Sequence, residues 1–565
     1  MSDIKIISLG GVRETGKNMY LVEVDNSIYV LDCGLVYPPD EMLGIDIMIP
    51  DFSYLVENAD RIAGVFLTHG HADAIGALGY LIKEVEVPVF GTELTIELAK
   101  IQARQLGLKN YPDFHIIDAD NEIDFGDVVV KFFRTTHSVP DSVGIDLVTK
   151  EGSIVYTGDF KFDMTVKADY ATDFGRITEI GKDGVFALLS DSSQAEAITE
   201  NEPEVVLANG LISEMRKADG RVIVASVANN LQRLQQILDA AATLDRHVFL
   251  MNDEVEEIID VAIRLGKLDI PSSNLIKKLK TIDQYDDNQI VILETGKTGE
   301  PLFTLQKMAS NHRFPVSIQD GDRVIIATSP TIDMETVVAD TKNQVYKAGG
   351  TVVELTEEYK SSGHASPKDL QLLLQLLKPQ YFIPISGEFR LMHSHAELAI
   401  ATGYSPDNIF LLDKGDVLHY EKNKMRLANK VTAGNVLIDG SGVGDIGNIV
   451  LRDRRILSED GIFVVVLTIS RRLGKILSGP EIISRGFVYM KASEDLLAES
   501  KQTVVDVVNE NLQSKDFEWA KLKGDIRDQL SKKLFQATSR RPMILPVIME
   551  ASNYQPSKHK NKKNK

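Results

Sequence analysis

The segment at residues 67–76, LTHGHADAIG, constrains the fold of this chain more than any other. It continues an apolar run at residues 62–68 that is typical of a strand, and it leads into a stretch with helical spacing. Two imidazoles one residue apart on a loop can bind one ion, and a carboxylate two residues later can reach a second position. His69, His71 and Asp73 therefore predict a metal site at a strand end, the alternative being a polar turn with chance histidines.

Two later segments strengthen the metal hypothesis. His137 in TTHSVPDSVG and Asp159 in YTGDFKFD both follow strand-like runs, and distant ligands converge in this way at one edge of a sheet. Taken singly, each has an ordinary alternative, a loop histidine and a turn-forming aspartate. Cys33 is the only cysteine, so a bound metal must rely on His, Asp and Glu.

The rhythm of apolar segments predicts an interrupted architecture. The first third has short apolar strands broken by Gly and Asp with helices between them, which indicates an αββα sandwich. From about residue 204, strands and helices alternate regularly, as in a parallel sheet covered by helices, and the first style resumes after residue 367. With 565 residues, several domains are expected. The predicted limits are 1–203 with 366–434 for the first domain, 204–365 for the insertion, 435–448 for a Gly-rich linker, 449–553 for a small C-terminal α/β domain and 554–565 for a basic tail.

Charge and hydropathy restrict the partners and the location. A net charge of -20 argues against wholesale wrapping of nucleic acid but leaves room for a local basic channel. The basic run at residues 558–565 is most simply an extension, with contact to RNA or to an acidic partner as the alternative. No apolar stretch approaches the ~20 residues that a membrane span needs, and the first residues lack a signal core. We therefore expect a cytoplasmic protein without a membrane contact.

Eight segments share one family's pattern: LGGVRETGKNMY, MLGIDIMIPDFSYL, LTHGHADAIGAL, YTGDFKFD, LLSDSSQAE, SSGHAS, GPEIISRGFVYM and RRPMILPVIME. They resemble bacterial ribonuclease J, within the β-CASP branch of metallo-β-lactamase-fold nucleases, over essentially the whole chain. The resemblance implies a metallo-β-lactamase αββα sandwich interrupted by a β-CASP parallel-sheet domain that closes over an RNA channel. It also implies a C-terminal α/β domain that supports oligomerisation, and 5′ to 3′ exonuclease and endonuclease activity in RNA processing and decay.

The resemblance assigns roles to the metal-site residues. His69, His71 and His137 would hold one zinc ion, Asp159 would bridge, and Asp73 would belong to a second metal and to the catalytic set. A carboxylate and a histidine farther along the chain complete the set. Asp191 in LLSDSS would orient His364 in SSGHAS, and His364 would act as the acid at the leaving oxygen.

Two further segments are expected to bind the RNA, with a 5′-monophosphorylated end as the ligand. ASVANN ends a strand and opens a helix, so backbone amides and side chains there can receive a phosphate, with ordinary N-capping as the alternative. The SSGH loop faces it in the family. The residues implied are Ser226, Asn229, Asn230, Ser361, Ser362, Gly363 and His364.

The chain departs from the family's pattern at two positions. Ala74 and Ser386, in HADA and PISG, stand where active members carry histidines, and both losses fall on the second metal. Asp73 and Asp159 remain there, two oxygen ligands that suit a hard ion or none. This combination resembles the branch of the family in Gram-positive bacteria whose metal site is degenerate. We expect weak activity from the chain alone; the alternative is a catalytically silent RNA-binding subunit that assembles, as a homo- or hetero-oligomer, with an active paralogue.

Overall fold

The structure, a computed structural model, describes residues 2–38, 42–108, 113–296, 299–310, 314–328, 334–359, 361–440, 442–444, 446–488, 494–514 and 516–551. The predicted basic tail lies outside these residues. The chain forms two compact units, residues 1–37 with 46–437, and residues 38–45 with 438–565.

The strands are β1 (Ile4–Ser8), β2 (Tyr20–Val24), β3 (Ser27–Leu31), β4 (Ile47–Pro50), β5 (Ile62–Phe66), β6 (Val89–Thr92), β7 (Phe114–Ile117), β8 (Glu122–Asp124), β9 (Val129–Arg134), β10 (Val143–Thr149), β11 (Gly152–Tyr156), β12 (Val185–Asp191), β13 (Val222–Val227), β14 (His247–Leu250), β15 (Ile276–Lys277), β16 (Ile290–Gly296), β17 (Arg323–Ile326), β18 (Thr351–Glu354), β19 (Tyr381–Ile385), β20 (Val417–Glu421), β21 (Lys424–Leu427), β22 (Asn435–Asp439), β23 (Gly442–Val443), β24 (Ile462–Ser470), β25 (Lys475–Arg485) and β26 (Met543–Glu550).

The helices are α1 (Ser53–Glu57), α2 (Ala72–Ile75), α3 (Leu78–Glu84), α4 (Glu93–Gln105), α5 (Phe174–Asp183), α6 (Glu204–Arg216), α7 (Leu231–Thr243), α8 (Asp253–Arg264), α9 (Glu300–Ser310), α10 (Glu335–Lys347), α11 (Leu355–Glu358), α12 (Pro367–Leu377), α13 (Phe389–Ala401), α14 (Asn448–Glu459), α15 (Glu494–Gln513) and α16 (Trp519–Thr538).

Two sheets form the body of the first unit. One has the order β21-β20-β1-β2-β3-β5-β6-β7 and the other the order β19-β12-β11-β10-β9-β8. Alternate residues of their strands, such as Tyr29, Phe66, Phe132 and Ile145, belong to a single buried apolar cluster. Helices α5 and α12 pack on a second cluster against the six-stranded sheet. The αββα sandwich predicted from the sequence is confirmed.

The inserted segment between β12 and β19 has its own sheet. Its order is β15-β14-β16-β13-β17-β18, and all its pairings are parallel. Helix α6 packs against α7, and α9 against α10. After the insertion the chain returns to the six-stranded sheet, where β19 pairs in parallel with β12. The predicted parallel-sheet insertion is therefore confirmed, and its strand ends are brought beside the sandwich.

The second unit is a three-stranded sheet with two long helices. The order is β25-β24-β26, and Phe463 and Val465 of β24 pack with Val508 of α15 and Leu530 of α16. The stretch predicted as a linker contains a short pairing instead, since β22 and β23 are antiparallel. Gly440 supplies the left-handed conformation that its turn needs, with φ +56. No described helix has the length and apolar content required to span a bilayer.

Candidate metal centre

Three imidazoles meet where β5 and β9 end. His69 and His71 follow β5, His137 follows β9, and their ring centroids lie 4.8 to 4.9 Å apart. The Nε2 of His137 is 3.0 Å from the Nδ1 of His71. Zinc with bonds of about 2.0–2.1 Å places tetrahedral ligand atoms roughly 3.3 Å apart, so this convergence is of the required size.

Hydrogen bonds on the far side of two of these rings fix their tautomers. His137 Nδ1 donates to the carbonyl of Gly363 at 2.9 Å, which leaves the lone pair on Nε2. Thr68 Oγ1 donates to Asp32 at 2.8 Å and lies 2.9 Å from His69 Nδ1, so it accepts from that nitrogen. His69 Nε2 is buried without a hydrogen-bond partner among the described residues. Such an orphaned nitrogen fits a metal ligand.

The rings are held neutral by their surroundings. Burial lowers the pKa of His69 and of His71 to about 3, and burial together with the neighbouring imidazoles lowers the pKa of His137 well below its usual range. A cation binds the neutral imidazole only. The three side chains therefore satisfy the protonation state that zinc requires.

Two carboxylates adjoin this cluster. Asp73 lies in the first turn of α2, Asp159 follows β11, and an oxygen of each is 3.8 Å from His69 Nε2. Burial and the proximity of Asp73 raise the pKa of Asp159 well above its usual range. Two acids that crowd each other in this way are stabilised by a cation between them.

The two positions without the histidines of the family's pattern lie in the interior of the protein. Ala74 and Ser386 are both buried. Ser386 Oγ donates to Asn18 Oδ1 at 3.2 Å, and Asn18 Nδ2 donates to Asp73 Oδ2 at 2.9 Å. Asp73 is thus anchored through Asn18 to Ser386. His69 is the only imidazole that joins Asp73 and Asp159 in a metal-ligand cluster among the described residues.

A histidine–aspartate pair faces the cluster. His364 Nδ1 donates to Asp191 Oδ2 at 2.8 Å, and Asp191 Oδ1 accepts from the amide and hydroxyl of Ser193 at 2.9 and 2.7 Å. Burial opposes protonation of His364, but the carboxylates of Asp191 and Asp159 outweigh it and raise its pKa to about 10. The imidazolium retains 27% side-chain exposure, so it can deliver a proton to a ligand.

The predicted RNA-contacting residues lie in two segments, the end of β13 with the turn that follows it (Ser226, Asn229 and Asn230) and the loop at residues 361–364. Asn230 accepts from the amide of Arg233 and caps α7, and Asn229 Nδ2 donates to the carbonyl of Gly70 at 3.3 Å, which places this turn beside the metal loop. Ser226 differs from the expectation, because its hydroxyl is enclosed at the end of β13 and has no hydrogen-bond partner among the described residues. N-capping accounts for Asn230 as the sequence alternative allowed.

The loop of Ser361, Ser362, Gly363 and His364 lies directly against the imidazoles. A Cβ on Gly363 would stand 3.2 Å from His137 Cε1, so the close approach of its carbonyl favours glycine. Ser361 Oγ donates to Glu204 at 3.2 Å, whereas Ser362 Oγ accepts from the amide of His364 at 3.1 Å within the loop.

Several supporting residues escaped the sequence reasoning. Asn18 holds Asp73, and Asp32 accepts from both the amide and the hydroxyl of Thr68 at 2.8 Å. The contact between Asp32 and Thr68 could have been predicted from the sequence. The two residues lie in LDCG and LTHG, which stand at the ends of β3 and β5, and these strands are parallel neighbours. Lys161 and its partners are visible only from the tertiary structure.

Comparison with protein families gives four matches along the chain. Residues 12–208 match the metallo-beta-lactamase superfamily and residues 219–345 the ribonuclease J beta-CASP domain. Residues 351–411 match the Zn-dependent metallo-hydrolase RNA specificity domain, and residues 449–551 match the ribonuclease J C-terminal domain.

Relatives and a solved structure agree with these matches. Proteins named Ribonuclease J 2 from Streptococcus pyogenes and Staphylococcus epidermidis are 49% and 45% identical, over 97% of this chain and 100% and 98% of their own length. A crystal structure of a protein of unknown function from Enterococcus faecalis is similar with a TM-score of 0.52 and 15% identity, over 74% of this chain and 100% of that one. This last likeness concerns the fold alone.

Proposed function

The chain belongs to the ribonuclease J family and is a metal-dependent nuclease of that type, and on this premise we propose that it is a weak ribonuclease with one strong zinc site. The observation that carries the proposal is the asymmetry of the metal centre. Three imidazoles, two of them oriented by hydrogen bonds, converge at one position, whereas Ala74 and Ser386 leave the other with carboxylates. Phosphodiester hydrolysis gains from two ions, so the loss of one should cost several orders of magnitude in rate.

The first position would be held by His69, His71 and His137, with Asp159 beside them. Zinc bound there would activate water and stabilise negative charge on the phosphate. The protein's own groups would orient the substrate and move protons. His364 holds its proton on the edge opposite Asp191, and it would transfer that proton to the departing ribose oxygen.

The proposed substrate is RNA with a 5′ monophosphate, cleaved by exonuclease and endonuclease steps in RNA processing and decay. The turn of Asn229 and Asn230 lies beside the metal loop, and the loop of residues 361–364 lies against the imidazoles. The amides of residues 230–233 already have acceptors within the chain, so the Asn229 side chain is the donor that would turn to a phosphate. Ser226 would add no accessible donor in this conformation. A cytoplasmic location and the domain limits predicted from the sequence form part of the same proposal.

The test combines metal content with cleavage by the purified full-length chain. We expect one firmly held zinc per chain by native mass spectrometry, and slow release of nucleotides from 5′-monophosphorylated RNA with less from a matched 5′-hydroxyl RNA. Two firmly held zinc ions would contradict the proposal. His364→Ala is the control for contaminating nucleases, because cleavage that is unaffected by it comes from another site or another protein.

A second candidate function, assembly with an active paralogue, is favoured by the open face of the C-terminal sheet. Helices α15 and α16 cover one face, and the other presents Ile483, Leu545, Val547 and Met549, which are 47%, 48%, 39% and 50% exposed. The first two flank Val464 in register, so these side chains form a continuous apolar row. Exposed rows of this kind mark interaction sites.

This interface proposal has its own experiment. We expect Leu545→Asp with Val547→Asp to dissociate homo- or hetero-oligomers in light scattering, whereas Met164→Asp, at an apolar side chain 75% exposed in the other unit, should leave them intact. Oligomers that survive the double substitution would refute the sheet face as the interface.

A further inference from the structure

Lys161 is a buried cation that the proposed chemistry does not use. It lies two residues after Asp159, and its side chain is 2% exposed. Its Nζ donates to Glu204 Oε1 at 2.6 Å and to the carbonyl of Ser362 at 3.0 Å. Its backbone amide donates to Thr136, the residue before His137, at 2.9 Å. A buried ammonium is tolerated only with such partners, so its placement is specific.

Glu204 joins this lysine to the inserted domain. It is the first residue of α6, and its Oε2 accepts from Gln236 Nε2 of α7 at 2.8 Å, with Arg233 Nη2 at 3.8 Å. Ser361 Oγ donates to its other oxygen. The Glu204 carboxylate thus contacts three parts of the chain. These are Lys161 before the insertion, Ser361 where the chain returns from it, and Gln236 in α7, the helix that follows the Asn229–Asn230 turn.

The hydrogen bond from Lys161 to the carbonyl of Ser362 constrains the positions of the next two residues, Gly363 and His364. The carbonyl of Gly363 orients His137 through Nδ1, and His364 carries the proton beside Asp191. The carbonyl of Ser362 fixes the peptide plane that precedes Gly363. A displacement of this loop would therefore disturb a zinc ligand and the acid at the same time.

We propose that Lys161 and Glu204 are a buried positioning pair, which fixes the 361–364 loop against the segment after β11 that carries Asp159. The pair acts through His137 and His364 and does not touch the substrate. The inference rests on the proposed function for the roles of those two histidines. The competing explanation is that the pair only stabilises the packing of the two domains.

The test uses the full-length chain with Lys161→Met and Glu204→Gln combined, which removes both charges of the pair, while Arg233, 3.8 Å from Glu204, keeps its hydrogen bond to Gln236 Oε1. Lys150→Met with Asp127→Asn, an exposed ion pair, is the matched control. Hydrogen exchange of residues 361–366, without RNA, reports loop position independently of catalysis. We expect faster exchange there, and zinc affinity and kcat lower by roughly ten- to hundredfold, with the control unchanged.

Glu204→Gln alone is a second variant. The side-chain carbonyl of the glutamine can still accept from Lys161, and the hydrogen bond from Lys161 to the carbonyl of Ser362 is kept. The loop of this variant should exchange more slowly than that of the double variant. Equal exchange in the two variants, or unchanged exchange and zinc affinity in the double variant, would overturn the proposal. If the loop loosens and zinc weakens while His364→Ala leaves cleavage unaffected, the positioning role stands and the assignment of the acid fails.

Discussion

The most direct test of the proposed metal asymmetry is to introduce histidines at Ala74 and Ser386. The perturbation is Ala74→His combined with Ser386→His, because Ala74 and Ser386 each stand where the family's pattern has a histidine. The backbone at Ser386 is already suitable, because its φ of +54 is a left-handed conformation that histidine tolerates better than most side chains. We expect the double variant to bind one more divalent ion than the unmodified chain.

The magnitude follows from the burial of both positions. Ala74 and Ser386 are 0% and 3% exposed, and each inserted ring should cost roughly 1–3 kcal/mol through overpacking. Loss of the Ser386–Asn18 hydrogen bond adds about 1 kcal/mol. The metal-free double variant should therefore be less stable by roughly 3–7 kcal/mol. An ion at about a thousand times its Kd restores about 4 kcal/mol.

The assay measures denaturant unfolding with and without zinc or manganese, and native mass spectrometry counts the ions. Each single variant should be destabilised without gaining an ion, because one imidazole does not complete the ligand set. Ser386→Ala is the control that removes the hydrogen bond alone. If the double variant gains neither an ion nor metal-dependent stability, while the unmodified chain cleaves RNA efficiently, the second position is not where the missing ligands belong.

Three further predictions concern the described residues. His69→Ala or His137→Ala should abolish zinc binding in native mass spectrometry while circular dichroism stays unchanged, because the core is apolar; retained zinc would refute the ligand set. Asp191→Asn should lower cleavage by roughly tenfold or more with RNA affinity preserved, as gel-shift titration would show. Burial raises the pKa of Asp146 from 3.8 to about 6, so the folded protein holds this proton longer than the unfolded chain and stability falls as pH rises across that range. Asp146→Asn should remove this fall and add roughly 3 kcal/mol at pH 8 in urea unfolding; an unchanged pH profile would contradict it.

Local patterns were sufficient to predict the fold and to nominate the metal-site cluster. The strand before His69 and the alternation after residue 204 are properties of short segments, and periodicity identifies them without tertiary information. The geometry places His69, His71, His137, Asp73 and Asp159 in adjoining clusters, and the strands that precede them belong to both sheets of the sandwich, β5 to one and β9 and β11 to the other. Their roles as ligands stay predictions until metal binding is measured.

Features that depend on long-range contacts were outside the reach of the sequence. Ser226 ends a strand and looked like a phosphate donor, but the burial of its hydroxyl is decided by strands β16 and β17 on either side. Asn18 contacts Asp73 across 55 residues and Lys161 contacts Ser362 across 201. Composition and spacing carry no information on such pairs. The hairpin at β22 and β23 was missed because a Gly-rich stretch is typical of linkers as well as of tight turns.

The condition of the two metal positions bears on whether zinc still binds. Ser386, Asn18 and Asp73 form a series of hydrogen bonds, in which one oxygen of Asp73 accepts from Asn18. At the first position His69 Nε2 is buried without a partner among the described residues, and an unsatisfied buried group costs roughly 1–3 kcal/mol. Asp32, Thr68 and Gly363 nevertheless hold His69 and His137 with their lone pairs turned inward. An ion bound to His69 Nε2 would offset this cost. We therefore expect zinc binding under either function proposed for this chain, and the cleavage and oligomer assays together distinguish the two functions.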